Sequence, residues 1–311
     1  MVYFILRRIL GGFVTIFMVT LCVFFLIKVV PGSPFSSDRV MSVEAMKSLE
    51  KVYGLDKPLL LQYANYLKNI IFHFDFGMSY KNIGTRINDI LFKNGSSGFW
   101  LSMKFGLVVI CVTVMFGVFL GILSAMNPNG LCDKIVSCGS LLGIAIPTIV
   151  TAPLLVLFFS VKFRLFPTGG WSFDLYHLIL PVTSLSLPNI GILAQIQRTS
   201  LVDIMNSQFI KTARAKGLSK MRILLKHALK PAMMPVVSFL GPTSASILVG
   251  SVIIEKIFSL PGMGTLTIEA AICRNYSMIL ALVIIYSTLL IICNTIVDIL
   301  YGFIDPRVKV K

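Results

Sequence analysis

Arg198, Lys211, Arg214, Lys216, Lys220, Arg222, Lys226 and Lys230 crowd eight cations into one stretch whose only acid is Asp203. Residues of this type at this density can hold a lipid surface, fix membrane topology, or dock a soluble partner. Within Phe209–Pro235 the pattern allows a helix up to Lys216, and Gly217 can supply the left-handed turn that ends it. Ser219 can then cap a second helix that carries Met221, Leu224, Leu225 and Ala228 on one face. The expectation is helix, turn, helix.

Other chemistry-bearing residues are sparse. His73, His177 and His227 are too scattered for a metal site, and the six cysteines contain no CxxC pair. No GxxxxGK[ST] run is present, so the chain shows no phosphate-cradling loop of its own. An intramembrane protease or acyltransferase would need a nucleophile with its base, or a metal cluster, and neither is legible. Asp298, one helical turn from Asn294, is an acid inside an apolar run; a transport role and a structural hydrogen bond are both open, and its place near the interface favours the second. Thr243, Ser246 and Ser251 are candidate pathway residues, since hydroxyls in a span can touch a passing polar solute or bond back to their own helix.

The elements that position these residues are membrane spans. The chain is 56% hydrophobic and 13% charged over 311 residues, with a mean hydropathy of +0.87, which leaves too little polar surface for a soluble domain of this size. The net charge of +15 is explained by basic clusters flanking apolar runs rather than by nucleic acid. The expected architecture is all-α and integral to the lipid bilayer, with six transmembrane helices and both termini cytoplasmic. A first span fills 1–30, with Arg7 and Arg8 at its inner start and Lys28 snorkelling at its outer end. An external segment over 31–98 holds short amphipathic helices at Ser42–Val52 and Leu59–Phe72; the aromatics Tyr63, Tyr66, Phe72, Phe74 and Phe76 could contact a substrate or a delivery protein, and packing at the membrane interface is the favoured role.

Five further spans occupy 99–304, with the basic loop 198–230 between the fourth and fifth, and a cytoplasmic tail follows at 305–311. Gly139, Gly143, Pro147 and Pro153 should bend the third span, and LPGMG at Leu260–Gly264 should make a rigid turn in the external connection from Glu255 to Ser277. A self-sufficient channel or ion-coupled transporter would place ionisable residues deep in its spans, and Asp298 alone gives that reading little support.

Motifs in one order carry a family resemblance: LRRIL at Leu6–Leu10, PGSPF at Pro31–Phe35, YGLDKPLLLQY at Tyr53–Tyr63, FDFGMSY at Phe74–Tyr80, TARAKGL at Thr212–Leu218, LPGMG, and DPR at Asp305–Arg307. The chain resembles the membrane subunits of binding-protein-dependent ABC importers, the B-type subunits of oligopeptide and dipeptide permeases in particular. The resemblance implies a type I ABC importer permease fold in the bacterial cytoplasmic (inner) membrane and an oligopeptide cargo; dipeptide and nickel permeases are the alternatives within the family. It implies a homologous C-type permease subunit, two ATPase subunits and an extracytoplasmic peptide-binding protein as partners. No cofactor is expected on this chain, ATP and Mg being bound by the ATPase subunits, and the chain itself is not expected to be an enzyme.

By the same resemblance, the basic segment is similar to the EAA loop, whose first helix couples to the ATPase. Lys211, Thr212 and Ala213 stand in the place of Glu-Ala-Ala, followed by Arg214, Ala215, Lys216, Gly217 as the motif glycine, and Leu218. The glutamate is replaced by Lys211, as in the Thr-Ala-Arg pattern of the B-type branch.

Overall fold

A computed structural model describes residues 2–29, 43–93, 98–172 and 174–304. The PGSPF motif, Ser42 and the tail with its DPR motif lie outside the described residues. Among those residues the architecture is helical, with a single antiparallel bridge between Met78 and Arg86. Among the described residues, five helices are long and apolar enough to cross a membrane: Leu6–Val29, Gly98–Met126, Leu175–Met205, Met234–Ile257 and Tyr276–Gly302. A sixth crossing exists if Leu131–Ala145 and Thr148–Lys162, bent by 103° at their break, form one span. That bend falls at Ile146 and Pro147, where the missing proline N–H ends the hydrogen-bond ladder.

The long helices are α1 (Val2–Val29), α5 (Gly98–Met126), α8 (Leu175–Met205), α12 (Met234–Val249) and α15 (Tyr276–Ile304). Helices α6 (Leu131–Ala145) and α7 (Thr148–Leu155) make the bent pair, and α7 continues into a π-helical stretch, Val156–Lys162. Helices α5 and α8 form the centre. A Cβ on Gly121 of α5 would stand 2.6 Å from Gln197 Cβ and 2.7 Å from the Ala194 carbonyl of α8, so the two backbones meet where only glycine fits. Helix α8 passes Pro181 and Pro188 without a break, and its N-terminus is capped by Asp174, whose carboxylate accepts from the His177 N–H at 2.9 Å. It extends beyond the expected end near Ile196 to Met205, so Arg198 stands on the helix and not in a loop.

At the α1 C-terminal end of the bundle, α2 (Val43–Val52), α3 (Leu59–His73) and α4 (Ile87–Phe92) fold onto the spans. Tyr63 of α3 is buried against the Phe24 ring of α1, shares a 3.0 Å hydrogen bond with Thr20 Oγ1, and donates to the Phe17 carbonyl at 3.1 Å. Phe76 is likewise buried, whereas Phe72 and Phe74 remain exposed.

The connection after α12 is folded rather than a simple turn. Helices α13 (Val252–Ile257) and α14 (Met263–Ile272) meet around Glu255, a fully buried carboxylate. It accepts from Ser102 Oγ of α5 at 3.2 Å and from the Thr265 N–H in the first turn of α14 at 2.8 Å. Ser102 Oγ in turn accepts from the Met263 N–H at 2.8 Å. A Cβ on Gly262 would fall 2.4 Å from Glu255 Oε1, and one on Gly250 2.1 Å from it. The first glycine of LPGMG, Gly262, is therefore required by the space that a carboxylate occupies.

At the other end of the bundle, Asp298 of α15 pairs with Arg8 of α1, Nη2 to Oδ2 being 2.7 Å. The contact is an ion pair rather than the hydrogen bond expected for Asp298, and it is made with a residue that the sequence presents only as a topology marker.

Candidate functional site

The basic segment leaves α8 at Met205 and begins α9 (Gln208–Ala215). Ile210 and Ala213 turn inward and pack with Ala125 of α5 and Leu201 of α8, which fixes the helix against the ends of both central spans. Lys211, Thr212, Arg214, Ala215 and Lys216 all lie on the exposed side, and Phe209 is half exposed beside them. Thr212 Oγ1 donates to the Gln208 carbonyl at 3.1 Å, a bond within the helix.

The helix ends as its sequence demands. Gly217 has φ +77°, its N–H donates to the Arg214 carbonyl at 2.9 Å, and the Leu218 N–H reaches back to the Ala213 carbonyl at 3.4 Å. These paired bonds, with Leu218 and Ala213 in one apolar cluster, constitute a Schellman termination. A Cβ on Gly217 would meet nothing within 4 Å, so the glycine is needed for backbone conformation alone.

Ser219 has N-cap backbone geometry ahead of α10 (Lys220–Ile223), but its hydroxyl makes no capping hydrogen bond. A π-helical stretch, Leu224–Ala228, follows, then α11 (Leu229–Ala232). Of the expected apolar face, Leu224 and Ala228 are buried, but Met221 and Leu225 are 53% and 60% exposed, and Ile223 and Ala232 are buried in their stead. A π turn takes more residues per revolution than an α turn, so a face projected at 3.6 residues drifts out of register across it.

Two polar contacts brace the base of this segment. Lys220 Nζ donates to the Met126 carbonyl at 2.9 Å, placing a cation at the C-terminus of α5, where the helix dipole favours it. Arg198 of α8 grips Asp133 of α6 through a two-pronged fork, Nε to Oδ1 at 2.6 Å and Nη2 to Oδ2 at 2.7 Å. Asp133 also accepts from Ser124 Oγ and from the Asn129 N–H, the latter at 2.8 Å. Sequence reasoning misses both contacts, because their partners lie far apart along the chain; Arg198 reads there as one more topology charge. The remaining exposed cations, Lys211, Arg214, Lys216, Arg222, Lys226 and Lys230, cover the outer side of the segment.

The candidate pathway residues lie elsewhere. Thr243 and Ser246 are one turn apart on α12, half-buried and exposed respectively. Ser251 follows the Gly250 break and caps α13, its Oγ accepting from the Ile254 N–H at 3.5 Å. The fold therefore gives Ser251 a structural bond and leaves Thr243 and Ser246 on a separate helix.

Comparison with known proteins bears on both the fold and this segment. Residues 117–310 match the family described as "Binding-protein-dependent transport system inner membrane component". Residues 1–85 match the N-terminal portion of the same membrane components. The oligopeptide transport system permease protein OppB of Haemophilus influenzae is 43% identical over 310 residues, covering 99% of this chain and 100% of that protein. The dipeptide transport system permease protein DppB of Bacillus subtilis is 41% identical, with 99% and 98% covered. Among solved structures, the MetNI methionine ABC transporter in inward-facing conformations superposes with a TM-score of 0.52 at 19% identity, over 65% of this chain and 93% of that one. An amino acid ABC transporter gives 0.51 at 16% identity, over 65% and 90%. At those identities the structural matches speak for the fold.

Proposed function

Because the chain belongs to the family of binding-protein-dependent transport system inner membrane components, we propose that it is the permease subunit through which an ABC importer carries oligopeptides into the cytoplasm. The named relatives, an oligopeptide permease and a dipeptide permease, support a peptide cargo. The chain pairs with a homologous C-type subunit to enclose the pathway and receives its cargo from an extracytoplasmic binding protein. Two ATPase subunits, which bind the ATP and Mg, dock on the side of the bundle that carries α9, and that side is cytoplasmic in accordance with its basic charge.

The observation that carries this reading is the form of α9. A short helix, fixed on its inner side by Ile210 and Ala213 and stopped by a stereochemically closed turn, presents Lys211, Thr212, Arg214 and Lys216 outward as one rigid surface. Such a body transmits displacement without itself doing chemistry. ATP-driven closure of the partners would push on α9, and the push would reach the spans through the Lys220–Met126 and Arg198–Asp133 braces.

Reconstitution of all subunits in proteoliposomes tests the reading. ATP-dependent peptide uptake is expected, and Lys211→Glu together with Arg214→Glu should abolish it while the chain still inserts. Peptide flux through the isolated chain, or unchanged uptake by the charge-reversed variant, would overturn it.

A further inference from the structure

The α1 C-terminal end of the bundle holds a cavity of about 590 Å³ between α1, the α2–α3 hairpin and the start of α15. Four lysines line it, Lys28, Lys51, Lys57 and Lys68, against a single described carboxylate, Asp75, which already accepts from the Gly77 N–H at 2.9 Å. Lys28 is half-buried, and its Nζ sits 5.8 Å from the Phe24 ring centre and 5.5 Å from that of Tyr276, a cage of aromatic faces with no ion-pair partner among the described residues. In the same wall the Tyr66 hydroxyl is inaccessible to solvent and has no hydrogen-bond partner among the described residues. Burial raises the pKa of that phenol, so it stays protonated and offers a donor. An unpaired buried hydroxyl costs free energy unless something accepts from it.

The cavity also has an apolar side. Phe24 and Ile27 of α1 and Leu280 of α15 line it, on helices whose apolar lengths end beside it. Cationic heads, a spare donor and an adjoining apolar wall at the edge of two membrane spans match one ligand chemistry: a phosphodiester attached to acyl chains. We propose that this cavity is a binding site for an anionic phospholipid, with its phosphate between Lys28 and Lys68 and its acyl chains along α1 and α15.

Native mass spectrometry of the full-length chain in detergent, titrated with phosphatidylglycerol, phosphatidylethanolamine or inorganic phosphate, tests this. Phosphatidylglycerol should be retained in preference to phosphatidylethanolamine, and Lys28→Gln with Lys68→Gln should weaken its retention about thirtyfold, two headgroup cations being lost. Lys81→Gln, outside the cavity, should leave it unchanged. Lys51→Glu, at an exposed cavity lysine, supplies the same test should the double variant unfold. Equal retention of both lipids, full competition by inorganic phosphate, or variants that keep phosphatidylglycerol but lose an acidic binding protein would each overturn the proposal.

Discussion

Replacing Gly217 with alanine isolates the contribution of the α9 turn. The residue sits at φ +77° with open space where a Cβ would go, so the substitution introduces no collision and acts only through the backbone. An L-residue held in the left-handed region costs about 1–2 kcal/mol. Ile210 and Ala213 bury the helix independently of the turn, so that cost falls on the closed Schellman geometry rather than on folding as a whole. A penalty of that size lowers the population of the closed turn by a factor of about 5–30. Peptide-stimulated ATP hydrolysis and uptake should fall together in proteoliposomes, with normal amounts of inserted protein. Asparagine tolerates the left-handed region, so Gly217→Asn should recover much of the loss. Gly121→Ala is the steric contrast: its Cβ would meet Gln197 and the Ala194 carbonyl, and reduced insertion is expected instead. Wild-type uptake by Gly217→Ala, or equal losses with alanine and asparagine, would refute the argument that the turn needs glycine for its φ angle.

Other perturbations reach different parts of the fold. Arg198→Ala strips the cation from Asp133, whose side chain is 4% exposed, and should lower thermal stability by about 3 kcal/mol, with Asp133→Asn restoring part of it in the double variant. Gly262→Ala should lower the melting temperature in the native background yet be tolerated once Glu255→Ala has emptied the space, giving a non-additive double-mutant cycle. Tyr63→Phe deletes the bonds to Thr20 and the Phe17 carbonyl; a loss of about 1 kcal/mol, read by thermal unfolding, is expected.

What the sequence makes legible is local. Apolar length marks the spans, Pro147 marks the bend, and the Lys216–Gly217 junction marks the end of α9, because each signal and its consequence lie within a few residues. Misses arise where the physics is long-range or the period changes. Leu224 and Ala228 turn inward as the spacing indicates, but across the π turn at Leu224–Ala228 Leu225 faces out and Ala232 faces in, a change of register that 3.6-residue counting does not capture. Glu255 reads as an ordinary polar residue opening an external connection; its burial depends on Ser102, which lies in another span. Arg198 and Arg8 read as topology charges until Asp133 and Asp298 are found opposite them. The residues singled out by resemblance, Lys211 to Leu218, stand together on one helix and its cap, whereas of the hydroxyls picked out within a span Thr243 and Ser246 are separated from Ser251 by the break at Gly250.

Helix α8 joins the two ends of the bundle in a single piece, 31 residues from Leu175 to Met205, uninterrupted by its two prolines. At 1.5 Å of rise per residue it is a rod about 46 Å long, so a swing of about ten degrees around its midpoint carries each end about 4 Å, in opposite directions. With α9 following Met205 after two residues and Asp174 capping the other end, displacement at one terminus is geometrically paired with displacement at the other. Spin labels placed near His177 and Asp203 would report that pairing as anticorrelated shifts.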